Sequence, residues 1–317
     1  MNSRNSLFLS LSISLLIANS AFAQSFPEYE PLKLKEGAIT SVGSDSMGGL
    51  MQLWVDAYKF KQAGVEVNVI SRGSATAPVA LIDGSADIGP MSRQMKEGEV
   101  KEFTSRYGFE PTQIKTAVSG VAVYVSDTNP LEEISLEELD AIYSKDRKRE
   151  AAQITDWASL GVEGALAGEE IAIFGRTDES IPGYCFKQRA LLQGDYTEGV
   201  SQIASGESLI EVVRLNKNAI GVGEVLSPLP EGVKMLSVKE AKSSKAFMPT
   251  TLAMSTTEYP LSRYLNFYFV KEPNKAVDTA TKDFLNFVLS VEGQSVVQAN
   301  GLTPLTEAVL KAERAKY

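Results

Sequence analysis

Segments of strand character and segments of helical character alternate along this chain, and several strands hand over to the next helix through a short turn rich in hydroxyl side chains. The first part predicts strands at 38–42, 65–71 and 87–89 and helices from 46, from 76 and over 97–107, which is βαβα order. In the helix from 46, Met47, Leu50, Met51, Trp54 and Tyr58 recur at helical spacing, one apolar stripe that a sheet must cover. Those aromatics are therefore core rather than a ligand box. A long β-rich run over 115–125 has Gly120 at its centre and is expected to pass between two lobes as a hinge strand. A second α/β region follows, with strands at 171–175, 219–223 and 233–238 and helices at 180–192 and 208–215. After the polar segment 239–245 the chain regains a strand at 265–270 and two amphipathic helices, 276–289 and 292–300, punctuated by Pro273 and Gly301. There is no internal repeat and no low-complexity segment.

The N-terminus carries a different signal. Arg4 precedes an apolar run over 7–18, and the small-residue pattern Ala21-Phe22-Ala23 precedes Gln24. This is the layout of a cleavable secretory signal over 1–23. A spanning helix needs about 20 apolar residues, and Ser10, Ser12, Ser14 and Asn19 interrupt the run. Cleavage of 23 residues from 317 leaves 294, enough for two lobes with separate cores. The expected location is the periplasm, or outside the cell, and the expected division is 24–118 with 251–317 as lobe I and 119–250 as lobe II.

Composition then narrows the chemistry. The chain has no histidine, which removes Ser-His-Asp and Cys-His hydrolases, His-ligated zinc and histidine bases together. Its one cysteine, Cys185, allows no internal disulfide and reads as a buried apolar residue. The formal charge of −9 becomes −10 once Arg4 is removed, which disfavours nucleic acid and anionic membranes as partners. A small anion is still compatible, because aimed N–H and O–H dipoles with one local cation can hold it.

Three turns share that chemistry: Gly43-Ser44-Asp45-Ser46, Ser71-Arg72-Gly73-Ser74-Ala75-Thr76, and Gly175-Arg176-Thr177-Asp178-Glu179-Ser180. The first turn of a helix leaves N–H groups unpaired at the positive end of its dipole, so each turn is a candidate anion seat. Each is also an ordinary helix cap by composition. A fourth segment, Asp87-Ile88-Gly89-Pro90-Met91-Ser92-Arg93, sets a hydroxyl beside a cation. None of them fits a P-loop, a dinucleotide fingerprint or a Gly-x-Ser-x-Gly elbow.

These segments, with Leu50-Met51-Gln52-Leu53-Trp54, Ala77-Pro78, Asn129-Pro130, Trp157, Leu160-Gly161, Tyr259-Pro260-Leu261-Ser262-Arg263 and Glu292-Gly293-Gln294, resemble the periplasmic phosphate-binding proteins, the solute receptors of phosphate ABC transporters. The resemblance spans nearly the whole mature chain. It implies an α/β type II periplasmic binding fold, two lobes joined by two hinge strands, closing as a monomer over inorganic phosphate and delivering it to a membrane permease. It implies no enzyme, no cofactor and no metal. Carried over residue by residue, Asp45, Ser46, Ser74, Ala75, Thr76, Ser92 and Arg93 would contribute from the first lobe. From the second, Arg176 would supply charge and Ser180 a hydroxyl, with Asp178 orienting the arginine.

Two departures stand out. Many relatives follow the serine matching Ser180 with Gly-Thr, whereas Ile181-Pro182 follow here and supply no hydroxyl, and the proline no N–H. Ser92 also stands where some members place a carboxylate. At neutral pH phosphate keeps a proton that a carboxylate can accept and sulfate does not, so Asp45 is the expected substitute acceptor. The competing classes are an extracellular phosphatase, which would need a base or metal cluster from scattered carboxylates, and a phosphate-sensing, matrix or adhesion protein that kept the fold with weak or no binding.

Overall fold

Two parallel strands, β1 (Gly37–Gly43) and β2 (Val65–Ser71), pair residue for residue from Gly37 opposite Val65 to Gly43 opposite Ser71, and the helix Gly48–Lys61 connects them. The computed structural model describes residues 27–226 and 228–317, and the expected signal segment 1–23 lies outside them. Trp54 and Tyr58 of this helix are fully buried, as the apolar stripe predicts. The helix Thr76–Asp83 leads to β3 (Gly89–Met91), and Ser41 of β1 bridges to Ile88 just before it.

After the helix Glu97–Tyr107 comes β4 (Thr112–Ser126), at 15 residues long enough to serve two sheets. The chain continues through β5 (Glu133–Ser135), the helix Leu136–Tyr143, β6 (Ala172–Arg176), the helix Ile181–Arg189 and β7 (Ser201–Ile203). The helix Gly206–Leu215 then precedes β8 (Ala219–Glu224), β9 (Val233–Met235), β10 (Ser237–Lys239) and β11 (Ala246–Phe247). A short helix, Thr251–Ser255, leads into β12 (Ser262–Phe269), and the helices Thr279–Val288, Val291–Ala299 and Glu307–Arg314 close the chain.

β4 is the link between the two halves. Its first part runs antiparallel to β12, from Thr112 opposite Phe269 to Gly120 opposite Ser262. Its second part changes partner and runs antiparallel to β8, from Val121 opposite Glu224 to Val125 opposite Ile220. The change falls at Gly120, in the middle of the run expected to act as a hinge strand. The resulting order β3-β12-β4-β8-β6-β7 carries one sheet path from the first half to the second.

Where the expected elements move, local packing explains it. The segment 233–238 is two strands, because β9 pairs with β4 and β10 with β5; buried Leu236 marks the break, its N–H donating to Val123 O at 2.9 Å. The helix expected over 180–192 ends at Arg189, before Leu192 and Gln193, which take positive φ. The helix Leu136–Tyr143 was not anticipated, although Ser135 and Glu138 form a capping box at its start.

The first core is pinned by polar contacts as well as by aromatic packing. Asp283 is fully buried, and its Oδ2 accepts from the Tyr29 and Tyr58 hydroxyls at 2.7 and 2.8 Å and from Gln62 at 3.1 Å. Trp54 Nε1 donates to Gly293 O at 2.8 Å, and its ring meets Phe267 edge-on at 5.6 Å between centroids. Buried polar atoms matched in this way fix a single arrangement of the final helices against Gly48–Lys61.

Candidate functional site

The first-half turns converge because β1, β2 and β3 all end on one side. Ser44 N–H donates to Pro90 O at 2.8 Å, and a Cβ on Gly43 would lie 2.2 Å from the same oxygen, so only glycine lets these turns meet. Gly73 takes φ +95, turning the chain into the helix Thr76–Asp83. Across this junction the Ser74 and Ser92 hydroxyls lie 3.2 Å apart, and Ser92 N–H also donates to Ser74 Oγ. Ser46 Oγ lies 3.0 Å from Ser44 Oγ. Exposed Ala75 follows Ser74, and Thr76 Oγ1 donates back to Gly73 O at 2.8 Å.

Two acidic and basic candidates have other partners here. Asp45 is exposed, and its Oδ1 accepts the N–H of Ser46 at 2.8 Å, so part of the carboxylate proposed as a proton acceptor serves its own turn. Arg93 grips Glu99 through both terminal nitrogens, at 2.7 and 2.6 Å. Its hydrogen bonds to Glu99 raise the arginine pKa; on Glu99 burial works upward, but the same contacts prevail and hold the carboxyl below its usual value. The charge of Arg93 is thus matched by Glu99 within the first half.

In the second half, Arg176 ends β6 and is buried. Its Nε donates to Ile203 O at 3.0 Å and Nη2 to Ala204 O at 2.7 Å, while Nη1 pairs with Glu224 Oε1. The sequence reading gave that orienting role to Asp178, and the structure corrects it: Asp178 pairs with Lys187 Nζ at 3.0 Å. Glu224 reaches Arg176 because β6 and β8 are adjacent parallel strands, Gly175 lying opposite Val222. Burial lowers the Arg176 pKa, yet a guanidinium stays charged at neutral pH. Ser180 caps the helix Ile181–Arg189 by accepting the Gly183 N–H at 3.1 Å, and its hydroxyl donates to Thr177 O at 2.7 Å. Pro182 sits in the first turn, where it removes one of the N–H groups an anion would use.

Two polar clefts lie beside these groups. One of about 190 Å³ is lined by Arg176, Ser180 and Glu224 and by Ser119 and Gly120 of β4. Ser119 was not singled out from sequence; its hydroxyl is buried and unpartnered, and only strand register brings it here. The second, about 560 Å³, is lined by Ser92 and Arg93 on one side and Gln188 and Arg189 on the other. The helix Ile181–Arg189 spans both, Ser180 and Ile181 at one cleft and Arg189 at the other. Neither cleft is lined by Arg176 together with Ser74. The structure therefore holds two half-sets, hydroxyls and helix N-termini in the first half and a fixed guanidinium with a capped helix in the second, each suited to oxyanion contacts. Among the described residues no group of acidic or cysteine side chains could hold a metal ion, and no helix is long and apolar enough to cross a membrane.

This chain is similar to known proteins over most of its length. Residues 30–292 match the PBP superfamily domain. The phosphate-binding protein PstS of Pseudomonas aeruginosa is 35% identical over 315 residues, covering 97% of this chain and 95% of that one. Among solved structures, an ABC-type phosphate transport receptor from Vibrio cholerae aligns with a TM-score of 0.63 at 24% identity, over 83% of this chain and 98% of that one. PstS from Borrelia burgdorferi aligns with a TM-score of 0.68 at 18% identity, over 86% and 100%. Likeness at such low identity speaks to the fold, which is two-lobed and of the type II periplasmic binding class.

Proposed function

The chain belongs to the PstS family of phosphate-binding proteins within the PBP superfamily, and from that premise we propose that it captures inorganic phosphate between its lobes and delivers it to the permease of an ABC transporter. It is a binding protein and not an enzyme. The reading assigns 24–118 with 251–317 to lobe I and 119–250 to lobe II, hinged where β4 changes partner at Gly120. Asp45, Ser46, Ser74, Ala75, Thr76 and Ser92 would meet the anion from lobe I, and Arg176 and Ser180 from lobe II. Export by the segment 1–23 to the periplasm and action as a monomer belong to the same reading, and the charge of −9 argues against nucleic acid as a partner.

The observation that carries it is Arg176, a guanidinium fixed by two carbonyls at a cleft between helix and hinge strand, in a chain whose likeness to PstS runs through both halves. A scaffold retained for matrix or adhesion work has no such observation in its favour. Stripping bound anion and titrating phosphate, sulfate and arsenate while following thermal unfolding tests the reading, since a ligand that binds the native state raises its melting temperature. Phosphate should raise it saturably and sulfate should not; a flat response to phosphate would refute it.

A further inference from the structure

The larger cleft has a charge balance opposite to that of the chain. The sequence carries −9 overall, yet the residues lining this space of about 560 Å³ include Arg93, Lys115, Arg189 and Arg263 and no carboxylate. Two of the four are already engaged: Arg93 with Glu99, and Arg189 with Pro260 O at 2.8 Å and with Glu240 at 3.8 Å. The other two form no salt bridge among the described residues. Arg263 lies over the ring of Tyr184 at 4.8 Å, which fixes its plane but leaves Nε and Nη2 buried without a hydrogen-bond partner. Lys115 Nζ lies 3.9 Å from the centroid of the Tyr264 ring.

A guanidinium with buried, unmatched N–H groups is destabilising in the ligand-free protein unless an anion later meets it. Ser92 lines this cleft and is bonded to Ser74, both of them proposed phosphate contacts, so the proposed phosphate seat opens onto it. We propose that Arg263 and Lys115 form a second anion subsite, so that the clamp accepts phosphoryl compounds carrying another anionic group next to the first, with pyrophosphate the simplest. The proposal rests on the phosphate reading above and extends it to the class of ligand.

Calorimetry on the anion-stripped mature chain tests it with inorganic phosphate, pyrophosphate and methylphosphonate. Pyrophosphate should bind about tenfold or more tightly than methylphosphonate, whose phosphoryl group carries no second anion. Arg263→Gln should erase that advantage while leaving inorganic phosphate within about threefold of wild type. Lys115→Gln should reduce the advantage in part, and it tests the subsite independently if loss of the Arg263 stack on Tyr184 unfolds the first variant. Phosphate binding with no preference for pyrophosphate would overturn this proposal alone. So would an equal loss of both ligands in Arg263→Gln, which would put the arginine in a single shared seat. Failure of all three ligands to bind would instead overturn the phosphate reading and this proposal with it.

Discussion

Arg176 and Glu224 form an ion pair at the ends of two adjacent parallel strands, and the arginine would keep its position without the glutamate because Ile203 and Ala204 carbonyls also hold it. Glu224 is thus an internal anion set against the cation that a phosphate would need. Replacing it by glutamine keeps the shape and removes the competing charge. Glu224→Gln should bind phosphate more tightly, by about fivefold or ~1 kcal/mol, and should let sulfate bind detectably. Calorimetric titration of both anions checks this, and weaker binding would mean that the carboxylate is needed to aim the guanidinium.

The helix Ile181–Arg189 begins with two residues that offer an anion little. Ile181 has no side-chain donor and Pro182 no N–H, while Ser180 Oγ just before them already takes the Gly183 N–H. Restoring Gly-Thr at these positions, as Ile181→Gly with Pro182→Thr, should add the threonine N–H and hydroxyl, worth about 1 kcal/mol each, and tighten phosphate binding about thirtyfold. Glycine in the first turn costs up to about 1 kcal/mol of stability, so a slightly lower melting temperature should accompany the gain. Unchanged affinity would place the ligand away from this helix.

The Arg93 and Glu99 pair predicts part of the acid sensitivity. The folded state holds the Glu99 pKa below its ordinary value of 4.5, so its contribution is present above that value and is lost as pH falls through the lower folded value. Denaturant unfolding followed from about pH 6 to about pH 3 should show stability falling over that range, with a shallower fall in Glu99→Gln. Parallel curves for the two proteins would show that the pair contributes nothing to acid unfolding.

Asp283 ties the helix Thr279–Val288 to the helix Gly48–Lys61 and to the N-terminal segment. Its Oδ2 accepts three donors, from Tyr29, Tyr58 and Gln62, and Oδ1 accepts Leu32 N–H at 2.8 Å. Asparagine must turn an N–H₂ group toward one of these sets of donors. Asp283→Asn should therefore lower unfolding free energy by about 2–4 kcal/mol, measured by denaturant titration. A change under about 0.5 kcal/mol would show that the network rearranges freely.

Much of the architecture was legible because local pattern and tertiary role agree. The stripe from Met47 to Tyr58 is buried as its spacing requires, and Gly120 falls where β4 leaves β12 for β8. The turns that hold Ser74, Ser92 and Ser180 were visible as motifs. Their partners were not, because these depend on strand order: Glu224 lies 48 residues from Arg176 and meets it only because β8 lies beside β6. Asp178, two residues from the arginine, was the natural choice by proximity, but the helix that follows brings Lys187 to it instead. Ser119 escaped notice for the same reason, and Arg263, read only as part of a family motif, lies opposite it across β4 and β12. The helix Leu136–Tyr143 is different, since Ser135 and Glu138 spell its start and the signal could have been read.

The central claim is that Arg176 supplies the charge by which this chain holds phosphate. Isothermal titration of anion-stripped wild type and Arg176→Ala with phosphate tests it most directly. Wild type should bind one phosphate per chain, and the variant, still folded, should bind at least about a hundredfold more weakly, ~3 kcal/mol. Equal affinity in the two proteins would contradict the account.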